Sequence, residues 1–200
     1  MRLLLVRHGQ SEWNAGRVLQ GQADTALSDL GRAQAAALAP VVAALAPDRA
    51  VTSDLARATE TARILGHPRA RRDRALREID VGIWQGRSID DLVATEAEFY
   101  AGWRAGTHRP DGGEDWAGFV ARVGAALRAE IDANEAGTLL VVCHGGVIRA
   151  ALDLFLSLRP QHVLPVSPAS LTAIKTSANG AARLELYNFR PGAPELGAPD

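Results

Sequence analysis

At 200 residues with a formal net charge of −1, the chain is long enough for one sizeable core and too evenly charged for a broad nucleic-acid footprint. Its basic side chains are 21 arginines and Lys175 alone, and the planar arginine fork suits phosphate better than an ammonium does. The lone Cys143 excludes an internal disulfide and a zinc-type cysteine cluster, and Leu3 to Val6 is too short for a signal-peptide core or a membrane span, so a soluble cytoplasmic protein is expected.

Leu3 to Val6 reads as a strand buried on both faces. Residues 9–28 read as a loop, and Ser28 as the N-cap of an alanine-rich helix running to about Ala46, stopped by Pro47. A short strand at Ala50 to Thr52 leads into a helix capped by Ser53 or Asp54 and ending at Leu65. A third strand falls near residues 70–76, Leu76 to Gly86 shows no clear period, and residues 88–105 read as helical. After a Pro/Gly loop from His108 to Gly113, a long helix covers about 115–134, with Trp116, Phe119, Val120, Val123 and Leu127 at helical spacing. Thr138 to Cys143 is the clearest central strand, and a helix over about 147–158 follows. Leu171 to Thr176 and Arg183 to Tyr187 pair through an Asn179-Gly180 turn, and the tail from Pro191 is expected to be disordered.

Strands alternating with helices imply an α/β protein with a mostly parallel sheet, expected as one domain over residues 1–190 with a tail at 191–200. Ligands in such sheets sit beyond the carboxyl ends of the strands. His8, Ser53-Asp54 and His144 all fall just after strand ends, so three loops converge on one crevice. Arg7 precedes His8 and Gly9 follows it; Gly145 and Gly146 open a helix whose amides suit an anion. This pattern is what phosphoryl transfer through a histidine needs, with His8 taking the group and Arg7 and His144 balancing its charge. Arg57, one turn into the second helix, either points at that phosphate or pairs with Glu60 or Glu78. Glu78 and Asp80 compete for an acid/base role, and spacing does not choose between them. Cys143, inside an apolar run, reads as an inert core residue. The histidines lack metal-ligand spacing, so neither a metal nor a cofactor is expected.

Arg7-His8-Gly9-Gln10-Ser11-Glu12-Trp13-Asn14 resembles the opening signature of the histidine phosphatase superfamily, which includes the cofactor-dependent phosphoglycerate mutases. The likeness continues in order through Gln20 to Asp24, Leu27 to Gly31, Ser53 to Ala58, Leu76 to Gly82, Gly112-Gly113-Glu114 and His144-Gly145-Gly146. The resemblance implies a three-layer sandwich with helices flanking the sheet and a helical lid insertion over about 84–116. It implies phosphohistidine at His8, a phosphate pocket of Arg7, Arg57 and His144 as an imidazolium, and Glu78 as proton donor. Asn14, Gln20, Gly21 and Gly145 complete the expected phosphate and substrate contacts.

The 66-residue span from Glu78 to His144 is shorter than in the similar mutases, which favours a phosphomonoesterase acting on small phosphorylated metabolites. A phosphoglycerate mutase is the alternative, and a non-catalytic phospho-ligand binding module a third reading. No nucleic acid or membrane partner is expected; a homodimer stays open. Trp84, Arg87, Tyr100, Trp103, Arg104, His108, Arg109 and Trp116 are candidates to line the mouth, with packing of the lid and solvation as the bland alternative.

Overall fold

The computed structural model describes residues 1–133, 136–177 and 180–192. Strands and helices alternate along the chain. β1 (Arg2–Arg7), a one-turn α1 (Glu12–Ala15), α2 (Asp29–Ala44), β2 (Arg49–Ser53), α3 (Ala56–Ile64) and β3 (Arg71–Asp73) come first. α4 (Ile89–Thr95), α5 (Ala97–Ala105), α6 (Trp116–Asp132), β4 (Thr138–Cys143), α7 (Gly145–Leu156), β5 (Leu171–Thr176) and β6 (Ala182–Phe189) complete the order. The six strands form one sheet in the order β3-β2-β4-β1-β5-β6. The four from β3 to β1 pair in parallel, while β5 runs antiparallel to both β1 and β6, so the sheet is mostly parallel.

The unbroken apolar runs of β1 and β4 have no period because both faces are covered. Side chains divide between the faces by alternation. Leu3, Leu5, Val51, Leu139 and Val141 pack with Phe119, Val123 and Leu127 of α6 and with Val147 and Ile148 of α7. Leu4, Val6, Leu140 and Val142 pack with Leu38 and Val42 of α2 and with Ala58 and Ala62 of α3. Three layers result, with β1 and β4 at the centre and their carboxyl ends side by side.

Several expected boundaries moved. Within residues 9–28, Ser11 and Asn14 form a reciprocal capping box that winds α1. Ser28 caps α2 through Gly31 N–H as expected, but the helix ends at Ala44, before Pro47. Neither Ser53 nor Asp54 caps α3: its cap is Leu55, and Asp24 Oδ1 instead accepts the Ala56 N–H at 2.7 Å from a distant loop. Asp54 is held by Arg77, two nitrogens to two oxygens at 2.7 Å. The helix expected over 88–105 breaks at Glu96, whose carboxylate accepts from Trp84 Nε1 and Arg87 and so is drawn out of helical register. The Asn179 turn and the tail from residue 193 lie outside the described residues. No described helix is long and apolar enough to cross a membrane.

Candidate active site

β1 and β4 pair from Arg2↔Thr138 to Arg7↔Cys143, and this register sets both histidines on one edge. The His8 backbone is clamped, donating to Cys143 O at 2.9 Å and accepting from Ala169 N at 3.0 Å. The two imidazoles lie with ring centres 5.2 Å apart, edge to face, and both are buried. Gly9 serves packing against the chain itself: a Cβ there would meet Gly31 O at 2.3 Å, so its small size lets the loop sit on the start of α2.

His8 Nδ1 lies 2.6 Å from its neighbour's carbonyl, Gly9 O. A carbonyl only accepts, so Nδ1 carries the proton and Nε2 presents a lone pair. Arg57 Nε donates to that nitrogen at 3.2 Å, while its other nitrogens donate to Ala23 O and Gly21 O. Arg57 is thus buried against His8; Glu60, one of its suggested partners, pairs with Arg32. Burial lowers the Arg57 pKa to about 10, against the pull of Glu78 and Asp24, which leaves it cationic at neutral pH.

Burial first, then the charges of Arg57 and Arg7, push the His8 pKa well below 6.5. His144 is depressed in the same way, by burial, then Arg57, His8, Arg7 and Arg122. This direction runs against the expected imidazolium at His144 in a site without phosphate, where burial beside two arginines disfavours a further cation. Burial pushes the Cys143 thiol up, away from the reactive thiolate, as its inert reading requires.

Glu78 reaches the same edge from the segment after β3. Its carboxylate accepts Gly146 N–H at 3.0 Å and Ile79 N–H at 2.9 Å. A Cβ on Gly146 would sit 2.0 Å from Glu78 Oε1, so the glycine makes room for the carboxylate at the start of α7. Asp80 is spent elsewhere, accepting Gly82 N–H at 2.9 Å in a turn.

A cleft of about 880 Å³, counted to its open mouth, runs out from this floor. Arg7, His8, Asn14, Gln20, Gly21, Arg57, Glu78 and Gly145 line it; His144 is fully buried beside His8. Asn14 Oδ1 accepts the Ser11 N–H at 3.1 Å, and Gln20 Oε1 accepts from the Ser11 and Thr25 hydroxyls, which leaves the amide nitrogens of Asn14 and Gln20 as the donors. Of the expected mouth residues, Tyr100, Trp103, Arg104 and Trp116 line the cleft. The others do not. Trp84 is a core residue, Arg87 pairs with Asp91 and Glu96, His108 packs on Phe99, and Arg109 lies 3.9 Å from Asp115 on the outside.

Two arginines escaped the sequence reading. Arg149 lines the cleft, lies over the Trp116 ring at 5.7 Å and donates to Arg104 O, tying α7 to α5. Its signal was helical phase, four residues after Gly145. Arg122 braces the segment carrying Glu78, donating to the carbonyls of Ala75 and Arg77 and to both oxygens of Glu114. Among the described residues no group of three His, Cys, Asp or Glu side chains could hold a metal ion.

The family model of the histidine phosphatase superfamily, branch 1, matches residues 3–190. The chain belongs to that superfamily. It is 39% identical over 168 residues to a glucosyl-3-phosphoglycerate phosphatase of Mycolicibacterium vanbaalenii, covering 78% of this chain and 75% of that one. A probable phosphoglycerate mutase of Yersinia enterocolitica is 33% identical, with 80% and 77% covered. The structure of a mycobacterial glucosyl-3-phosphoglycerate phosphatase complexed with VO3 superposes with a TM-score of 0.85 at 36% identity, covering 94% of this chain and 98% of that one. This histidine phosphatase is a hydrolase of phosphate monoesters, and a phosphohistidine intermediate is characteristic of its family.

Proposed function

We propose that His8 Nε2 is the phosphoryl acceptor and that the floor of the cleft is the catalytic centre, read as part of one domain over residues 1–190. The observation that carries this reading is the Nδ1–H bond to Gly9 O, which leaves a neutral imidazole with its lone pair beside a buried arginine. In the first step Nε2 attacks phosphorus, the ester P–O bond breaks, and the leaving oxygen takes a proton from Glu78. In the second, water attacks phosphorus, the P–N bond breaks, and Glu78 takes the proton of the water. Arg7, Arg57, His144, Asn14 and Gln20 hold the phosphoryl oxygens, and the backbone of Gly21 and Gly145 shapes the pocket around them. Charge placed in advance where the transition state develops it is the main catalytic term for such slow esters.

The leaving group would lie against Tyr100, Trp103 and Trp116, with Arg149 and Arg104 above it. Aromatic faces suit a sugar or ring, and the arginines suit a carboxylate. A phosphorylated sugar acid of the kind named by the mycobacterial relatives fits both, and such charged esters belong to the cytoplasm. The open mouth and short cover favour water over a retained hydroxyl as second acceptor, hence hydrolysis over isomerisation. A panel of phosphorylated metabolites run with the purified protein tests the substrate class. Following both products from 3-phosphoglycerate, with and without 2,3-bisphosphoglycerate as primer, tests the reaction: primer-dependent isomerisation outrunning phosphate release would make the protein a mutase.

A further inference from the structure

Beside the nucleophile, two buried polar groups are tied together and one atom is left over. His144 Nε2 lies 2.8 Å from Ser53 Oγ, and both side chains are fully buried. His144 Nδ1 has no hydrogen-bond partner among the described residues. Ser53 ends β2, whose pairing of Thr52 with Val142 runs it alongside β4, so the two strand ends set this contact.

Ser53 Oγ accepts a long bond, 3.4 Å, from Leu55 N–H. Its own proton needs an acceptor, and His144 Nε2 is the one in reach among the described residues. The reverse arrangement, with Nε2–H donating to Oγ, would strand a buried hydroxyl proton, which is as costly as losing a hydrogen bond outright. The hydroxyl therefore selects which ring nitrogen is protonated.

We propose that Ser53 is a positioning residue that fixes His144 as its Nδ1–H tautomer, so that a neutral imidazole becomes a preformed hydrogen-bond donor to an oxygen of the phosphoryl group on His8. The inference rests on the reading of His8 as phosphoryl acceptor and explains how His144 can serve without a positive charge. Of its two nitrogens only Nδ1 is left to meet a phosphoryl oxygen. Bare, that nitrogen would turn a lone pair toward an anion; protonated, it donates. The cations whose charge acts on the ring, Arg57 from α3, Arg7 from β1 and Arg122 from α6, supply the charge that the ring itself lacks.

The test is the 15N spectrum of the full chain labelled in histidine, with His144 assigned by comparison with His144→Gln. The wild type should show His144 Nδ1 as a protonated nitrogen and Nε2 as an acceptor. Ser53→Ala should mix the tautomers, weaken vanadate inhibition and lower kcat/KM for an aryl phosphate by roughly 10- to 100-fold, and Ser53→Thr should recover most of that loss. A protonated Nε2 in the wild type overturns the proposal, as does a Ser53→Ala protein that keeps full activity or the pure Nδ1–H form. A wild type that forms no phosphohistidine would remove the role of His8 instead, and would leave the tautomer measurement standing.

Discussion

The floor of the cleft and its helical cover meet the same ligand space but are built differently. On the floor, His8 and His144 are 3% and 0% exposed, and strand register, a backbone carbonyl and Ser53 fix each ring. On the cover, Trp103, Arg104 and Trp116 are only partly buried, and Ile83, Val93 and Phe99 of the same region are exposed. Arg149 joins the two by reaching from α7 to the Arg104 carbonyl. The floor is where charge must be placed before the reaction, so it tolerates little movement. In the proposed reading the cover chooses the leaving group and can vary without disturbing the chemistry.

If that division holds, the largest effect belongs to the nucleophile. His8→Ala should lower turnover by roughly 10⁴-fold or more on every monoester, and rapid acid-free quenching should trap phosphohistidine on the wild type only. Normal turnover by the variant would move the chemistry off the floor. Glu78→Gln comes next: a loss of roughly 10²- to 10⁴-fold on an alkyl phosphate, and a much smaller one on an aryl phosphate whose leaving group needs little protonation. Equal losses on both would demote Glu78 to a structural part, with Asp80→Asn then tested in its place.

The cover is probed by Arg149→Met, which keeps the apolar stem over Trp116. It should raise KM for carboxylate-bearing phosphate esters by about 10-fold, the worth of one charged hydrogen bond, and change the aryl phosphate less. A uniform loss in kcat would instead make Arg149 part of the floor.

As pH falls from 7, acid should act first on the floor. Both histidines have folded pKa values below 6.5, so between those values and 6.5 the unfolded chain binds more protons than the native one. Stability from this source is complete above pH 6.5 and is lost as pH falls below it. The melting temperature should drop from pH 7 to pH 5, and less so in His144→Gln; kcat/KM should stay level through pH 6.5 and fall only at more acid pH, where His8 Nε2 gains a proton. The smallest effect is expected from EDTA, which should leave aryl phosphate hydrolysis unchanged. A strict Mg²⁺ or Mn²⁺ requirement would replace the all-protein pocket.

The sequence by itself determined the features that depend on local pattern and adjacency. Apolar runs fixed β1, β4 and β5, alternation with helices fixed the class of fold, and strand ends carried Arg7-His8, Ser53 and His144-Gly145-Gly146 to one edge. Backbone direction alone does this, because a strand must present whatever residue comes after it. What only the tertiary structure decided involves partners far apart in the chain. Asp24, not Ser53 or Asp54, accepts the Ala56 N–H at the start of α3, and Gly146 leaves the room through which Glu78, the proton donor the resemblance implied, reaches the floor while Asp80 is held in a turn. Trp84 and Trp103 lie in one aromatic cluster, yet one is core and the other wall. The lowered pKa of His144 and the inward turn of Arg149 were equally invisible, since burial and charge at a point in space are sums over several elements, and no stretch of sequence contains them all.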